Sequence, residues 1–247
     1  MDQKVALVTG ASSGIGTAVA LQLARGNWSV VAAGRDKERT EELRRDAPDI
    51  HAWIGDITSP QSCTDLVETC VNTFGRLDLL VNNAGIYQTA NAEETSDETW
   101  HQTIAINLSA PFFLSRAALP HLRQSRGAIV NIASDWGLIG GEQAVAYCAS
   151  KGGLVLMTKA MALDHAKEGI RVNTICPGDV ETPMMYSDGA ARGLDRAATL
   201  TEANTDSGTG RVTTPEEVAA LVCFLASEAA AQITGAAIPI DGGSTAG

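Results

Sequence analysis

Val5-Ala6-Leu7-Val8-Thr9-Gly10-Ala11-Ser12-Ser13-Gly14-Ile15-Gly16 runs from an apolar tetrapeptide into a turn carrying three glycines. Val5 to Val8 reads as a short strand. The residues beyond Gly16, through Val19, Leu23 and Ala24, carry helical spacing. Gly26-Asn27 ends that helix, and Trp28 to Ala33 is a second apolar run closed by Gly34-Arg35-Asp36. Strand, turn, helix and strand make a βαβ unit, whose right-handed crossover sets the two strands parallel. Gly10, Gly14 and Gly16 give the spacing GxxxGxG. Glycines let backbone approach a ligand closely, and free N–H groups at a helix start favour phosphate. Ser12 and Ser13 add hydroxyl donors. The turn is therefore a candidate nucleotide site.

Outward from this unit the alternation continues. Asp36 to Asp46 is polar and helical in character, Ile50 to Ile54 a short strand, and Ser59-Pro60 opens a helix. Leu77 to Val81 is a strand closed by Asn82-Asn83-Ala84-Gly85. Asp97 to Arg123 reads as a long helical region, with a bend or break expected at Pro111 and Pro120. Gly127 to Ile132 is a strand, Ala144 to His165 a helix, and Ile170 to Ile175 a strand ending at Cys176-Pro177-Gly178. Residues 183 to 212 have weak periodicity and read as a candidate lid. Thr214-Pro215-Glu216-Glu217 starts a helix to Ala226, and Ala236 to Ile240 is the last strand. Seven strands alternating with helices and no linker predict one doubly wound α/β domain with a mainly parallel sheet.

The 247 residues are 45% hydrophobic and 19% charged, enough for one full core and against dominant disorder. With 18 basic and 29 acidic residues the formal charge is −11, which argues against nucleic acid as the main partner. No apolar stretch reaches the roughly 18 residues of a membrane span. Met1-Asp2-Gln3-Lys4 leads directly into the first strand, without the pattern of a signal peptide. The cysteines at 63, 70, 148, 176 and 223 form no CxxC pair, so neither a zinc site nor a disulfide framework is expected. A reducing, cytoplasmic setting follows. His51, His101, His121 and His165 show no ligand spacing, which disfavours a zinc-dependent alcohol dehydrogenase. The lack of GKS or GKT disfavours a P-loop ATPase.

The end of the second strand is where an acidic residue would hold the adenosine ribose of a dinucleotide. Here it is Gly34, followed by Arg35. A missing carboxylate and a neighbouring guanidinium favour NADP(H) over NAD(H). Asp36 keeps NAD(H) open. Asp56, with Ile57, ends the third strand; it either accepts from the adenine amino group or caps the next helix. Asn83, in the loop with Ala84 and Gly85, either touches the ribose or locks neighbouring loops.

Tyr147 and Lys151 are four residues apart on a helix and share a face. An ammonium beside a phenol favours phenolate and makes Tyr147 a usable acid and base. Ser134, just past a strand end, can hold a substrate oxygen beside that phenol. Asn107 has a second reading, satisfying helix backbone freed near Pro111. Specificity is expected from Asp135, Trp136 and Leu138 after Ser134, with Gln143, Met184, Met185 and Tyr186 completing the wall. Asp179 either repels anionic substrates or caps the turn after Gly178.

Taken together, Thr9-Gly10-x-x-x-Gly14-Ile15-Gly16, Asn82-Asn83-Ala84-Gly85, Asn107, Ser134, Tyr147-x-x-x-Lys151 and Pro177-Gly178 resemble the short-chain dehydrogenase/reductase (SDR) family, over essentially the entire chain. The resemblance implies a Rossmann-type fold and reversible hydride transfer between a nicotinamide and a ketone or secondary alcohol. It implies that Tyr147 is the proton donor or acceptor and that Lys151 binds the nicotinamide ribose. Ser134 would polarise the carbonyl, and Asn107 would hold a water linking Lys151 to solvent. Ile15 and Gly16 would face the pyrophosphate, and Pro177, Gly178, Val180 and Thr182 would hold the nicotinamide. The resemblance also implies a homotetramer, with a dimer as alternative. An NADP(H)-dependent carbonyl reductase or alcohol dehydrogenase is the leading expectation. An NAD(H)-dependent sugar, polyol or hydroxysteroid dehydrogenase is one alternative, and a catalytically inactive nucleotide sensor another.

Overall fold

The structure, a computed structural model, describes residues 3–246. Met1 and Asp2, which enter the expectation about a leader segment, lie outside them, as does Gly247. The elements follow the expected alternation: β1 Lys4–Thr9, α1 Gly14–Arg25, β2 Trp28–Gly34, α2 Lys37–Asp46, β3 Ile50–Ile54, α3 Pro60–Phe74 and β4 Leu79–Asn82. Then come α4 Asp97–Ile104, α5 Ala110–Ser125, β5 Ala128–Ile132, α6 Val145–His165, β6 Arg171–Pro177, α7 Pro183–Ala191, α8 Arg196–Asp206, α9 Pro215–Ala226 and β7 Ala237–Ile240. The seven strands form one sheet in the order β3-β2-β1-β4-β5-β6-β7, with every neighbouring pair parallel.

Strand periodicity decides which layer each side chain joins. Ala6 and Val8 face the layer holding Val19 and Leu23 of α1 and Val218 and Val222 of α9. Val5 and Leu7 face the opposite layer, with Leu66 and Val67 of α3 and Leu114 and Leu122 of α5. Leu114 is fully buried, so its truncation to alanine would cost about 2–5 kcal/mol. Successive strands move outward in opposite directions from β1 and β4. That reversal opens a crevice at their carboxyl ends, where Thr9 and Asn82 lie.

Helix starts are set by short polar side chains. Ser59 accepts from Ser62 N–H with Pro60 in the first turn, and Ser96 accepts from Thr99 N–H. Thr214 and Glu217 cap each other's backbone N–H groups, as the sequence predicts.

Two regions differ in detail from their sequence readings. The Asp97–Arg123 region does not break at its prolines. It widens into a π segment at Ala105–Ser109 and continues through Pro120. Pro111 has no N–H to return to the Asn107 carbonyl, so the register changes just before it. Residues 183–212, where the periodicity is weak, hold the two helices α7 and α8. Thr182 caps α7 and Asp195 caps α8, but these helices bury only Gly189, Thr199 and Ala203, which explains their weak apolar periodicity.

A polar chain fixes α6 against the sheet. Asn82 Nδ2 donates to Asn131 Oδ1 at 2.8 Å, and Asn131 Nδ2 donates to Thr158 Oγ1 at 2.8 Å. Thr158 lies two turns beyond Lys151 on the same buried face of α6.

Candidate active site

The crevice is a cleft of about 590 Å³. Every residue expected at the cofactor lines it except Gly16. A Cβ on Gly16 would collide with the Gly10 carbonyl, so this glycine brings α1 against the turn rather than facing a ligand. At the start of α1, Ser13 is extended and makes no side-chain cap, which leaves first-turn N–H groups available to an anion. Asn83 Nδ2 donates to the carbonyls of Thr9 (2.9 Å) and Gly10 (3.3 Å), while Thr9 Oγ1 accepts from the N–H groups of Asn83 and Ala84, both at 3.1 Å. Of the two readings of Asn83, the structure displays the loop lock.

At the end of β2, a Cβ on Gly34 would meet Thr40 Oγ1 at 2.6 Å, so this position has no room for a carboxylate. Arg35 is exposed on the cleft wall. Asp36 accepts from Arg39 N–H at 3.1 Å as the N-cap of α2 and pairs with the Arg39 guanidinium at 3.5 Å. Asp56 accepts from Thr58 N–H at 2.6 Å; the cap of the following helix is Ser59. The Thr58 bonds, with a smaller contribution from Arg35, hold the Asp56 carboxyl below its usual range.

Ser134, Tyr147 and Lys151 converge on the other half of the cleft. Ser134 caps the short turn Asp135–Gly137 after β5, and α6 carries the other two one turn apart. Lys151 is 4% exposed, and its Nζ donates to the Ile132 carbonyl at 2.8 Å and lies 5.5 Å from the Tyr147 ring centroid. Burial brings the Lys151 ammonium down to about 8. The expected easing of the Tyr147 proton by Lys151 does not prevail. Burial pushes the phenol above its ordinary value, the adjoining Ser134 hydroxyl acts the other way, and Asp135 adds to the rise.

Asn107 does not line the cleft and is fully buried. Its Oδ1 accepts from Ile86 N–H and its Nδ2 donates to the Ile86 carbonyl, both at 2.9 Å. Nδ2 also donates to Ser150 Oγ at 3.1 Å, and Ser150 in turn donates to the Tyr147 carbonyl at 2.8 Å. The side chain thus joins the β4 loop to α6, rather than satisfying backbone near Pro111.

Of the residues expected at the substrate, Trp136, Met184 and Met185 line the cleft, whereas Leu138, Gln143 and Tyr186 do not. Gln143 is exposed with φ 54°, and its carbonyl accepts from Ala90 N–H at 2.8 Å. Tyr186 lies under the Arg196 guanidinium, 3.7 Å from its ring centroid. Sequence reasoning missed Tyr87, whose ring lies 5.1 Å from that of Tyr147 and 5.8 Å from that of Trp136. An aromatic residue two positions after Asn83-Ala84-Gly85, at a strand's carboxyl end, was the available signal.

The wall here is acidic. Among the described residues Asp135, Asp179, Asp188, Glu202, Asp206 and Asp241 line the cleft, and Arg192 pairs with Asp188 at 3.1 Å and with Glu202. Asp179 is open to solvent on one side but set into the wall. Burial, with Asp135, Asp206 and Asp188, pushes its carboxyl up to about 6. The Thr89 hydroxyl donates to Asp188 Oδ1 at 2.7 Å and ties the β4 loop to α7.

Comparison with known proteins agrees with this architecture. The short chain dehydrogenase family model matches residues 4–193. L-fucose dehydrogenase of Bos taurus is 40% identical over 245 residues, covering 99% of this chain and 90% of that protein. Meso-2,3-butanediol dehydrogenase of Serratia marcescens is 38% identical, covering 99% and 96%. The ligand-free structure of Thermoplasma acidophilum aldohexose dehydrogenase superposes with a TM-score of 0.91 at 31% identity, covering 99% and 95%. The chain is therefore an oxidoreductase acting on alcohol or carbonyl groups, and it belongs to the short-chain dehydrogenase/reductase family.

Proposed function

We propose that the cleft performs reversible hydride transfer between NADP(H) and a secondary alcohol or ketone on a small, uncharged, hydroxyl-bearing molecule. The reading rests on the convergence of Ser134, Tyr147 and Lys151 on one cleft wall. The residues fit a dinucleotide: uncapped N–H groups of α1 suit a pyrophosphate, and the nearly buried Lys151 ammonium suits ribose hydroxyls. Pro177, Gly178, Val180 and Thr182 line the segment that would hold the nicotinamide. A bound nicotinamide would supply the hydride acceptor for oxidation or the donor for reduction. Tyr147 takes the alcohol proton in one direction and gives a proton in the other; the neutral phenol that burial favours suits reduction. Ser134 holds the reacting oxygen, and a water at Asn107 linking Lys151 to solvent belongs to the same proposal.

Arg35 and the closed space at Gly34 support NADP(H). The acidic wall opposes anionic substrates and presents acceptors to hydroxyl groups, which fits relatives named for fucose and butanediol. An NAD(H)-dependent sugar or polyol dehydrogenase is the second reading, favoured by Asp36 at the adenosine end of the cleft. Steady-state kinetics with both cofactors on a panel of diols, sugars and hydroxy acids tests these statements. A kcat/KM at least about tenfold higher with NADP(H) is expected, and the opposite ratio removes the assignment to Arg35. Hydroxy acids oxidised as well as diols would remove the charge argument.

The solvent-exposed Leu156 (67%) and Leu163 (83%) on α6 support a homotetramer, with a dimer as alternative, and light scattering distinguishes the two. No described helix is long and apolar enough to cross a membrane. The free cysteines fit a reducing compartment, and we place the protein in the cytoplasm on that ground.

A further inference from the structure

Ser134 has a single hydroxyl proton, and its direction is set locally. Ser134 Oγ donates to Asp135 Oδ1 at 2.8 Å. The N–H of Trp136 donates to both Ser134 Oγ (3.2 Å) and Asp135 Oδ1 (2.7 Å). A hydroxyl offers one donor and two lone pairs. With the proton on Asp135 and one lone pair on the Trp136 N–H, Ser134 has one lone pair left for a ligand in the cleft. An alcohol O–H complements that lone pair. A carbonyl oxygen, which only accepts, does not.

We propose that Asp135 is a positioning residue that, through Ser134, sets the site to receive the alcohol rather than the carbonyl form of the substrate. The inference rests on the proposed oxidoreductase reading of this cleft and adds a preference between its two reactants. No covalent step is involved.

Protonation reverses the arrangement. The groups facing Asp135 are Tyr147 from α6, Cys176 from β6, Asp179 from the loop after β6, and Asp241 after β7. None of these is basic, and burial pushes the Cys176 thiol up to about 12. Burial raises the Asp135 carboxyl, aided by Asp241 and opposed by the bonds from Ser134 and Trp136. Once protonated, Asp135 can donate to Ser134 Oγ, which frees the serine proton for a carbonyl oxygen. Alcohol affinity then falls, and carbonyl affinity rises, as pH is lowered.

Dead-end complexes test this without turnover: 2,3-butanediol binding to the NADPH complex, and acetoin binding to the NADP⁺ complex, both followed by calorimetry. In the wild type the diol is favoured, and the ratio of the two affinities shrinks about tenfold as pH is lowered until Asp135 is protonated. Asp135→Asn keeps an acceptor that cannot ionise, so its ratio is flat with pH. Asp135→Ala frees the hydroxyl and tightens acetoin at every pH, and Asp135→Glu restores the pH dependence. A flat ratio in the wild type, a slope unchanged in Asp135→Asn, or equal weakening of both ligands in Asp135→Ala would overturn the inference. Oxidation of the diol by the wild type reports separately on the parent reading. An inactive wild type defeats that reading, whereas an active one with a flat ratio defeats this inference alone.

Discussion

The nucleotide-facing half of the cleft, from β1 to β3, is finished by bonds that close within a few residues. Asp36 accepts from Arg39 N–H and Asp56 from Thr58 N–H, while the first turn of α1 presents bare backbone. The substrate half is assembled across distance: Asn107 grips Ile86 from 21 residues away, and Thr89 holds Asp188 from 99. Thr9 and Asn83 join the halves at the sheet reversal. The first half offers neutral backbone donors beside three charged side chains, Arg35, Asp36 and Asp56. The second half is made of ionisable and aromatic side chains whose properties depend on burial. Changes in the first should act on cofactor affinity, and changes in the second on turnover and substrate choice.

Tyr147→Phe should divide the two most sharply. We expect kcat to fall about 10²–10⁴-fold while cofactor affinity, read by fluorescence titration, changes less than about twofold. Full turnover in that variant would mean the substrate half does not perform the chemistry as assigned. Lys151→Met should also remove most turnover, yet raise stability. The native lysine value is lowered from 10.5 to about 8, so the buried charge carries its full cost at neutral pH. Removing it should stabilise the fold by about 1–3 kcal/mol in chemical denaturation. By the same linkage, wild-type stability should rise between about pH 8 and pH 10.5, where the unfolded chain binds more protons than the native one.

Arg35→Ala tests the other half. The KM for NADPH should rise about tenfold, with that for NADH changed less than about twofold. Equal effects on both cofactors would erase the distinguishing role of this charge. Asp179→Asn should relax rejection of hydroxy acids a few-fold, roughly, with the difference from wild type vanishing below about pH 6, where Asp179 is already protonated. Thr89→Val should have the smallest effect. It removes the tie between the β4 loop and α7, and we expect substrate KM to rise by about two- to fivefold with kcat nearly unchanged.

The alternation of strands and helices, the helix starts at Ser59 and Thr214, and the shared face of Tyr147 and Lys151 were all legible in the sequence. Each depends on side-chain periodicity or on a bond between residues three or four apart. Helices α7 and α8 were not legible because they bury little apolar surface, and their caps at Thr182 and Asp195 stood without a periodic stripe behind them.

Folding alone decided the rest. Gly16 proved to be a packing position because the Gly10 carbonyl lies against it. Tyr87 entered the site because Asn107 holds the preceding residue in place. The shifts of Tyr147, Lys151 and Asp179 are led by loss of water around them; charges from separate segments add to it at Tyr147 and Asp179, while Cys176 opposes it at Lys151. Spacing along a chain records which residues share a face. Solvation and charge sum over everything packed nearby, so only the assembled tertiary structure could settle them.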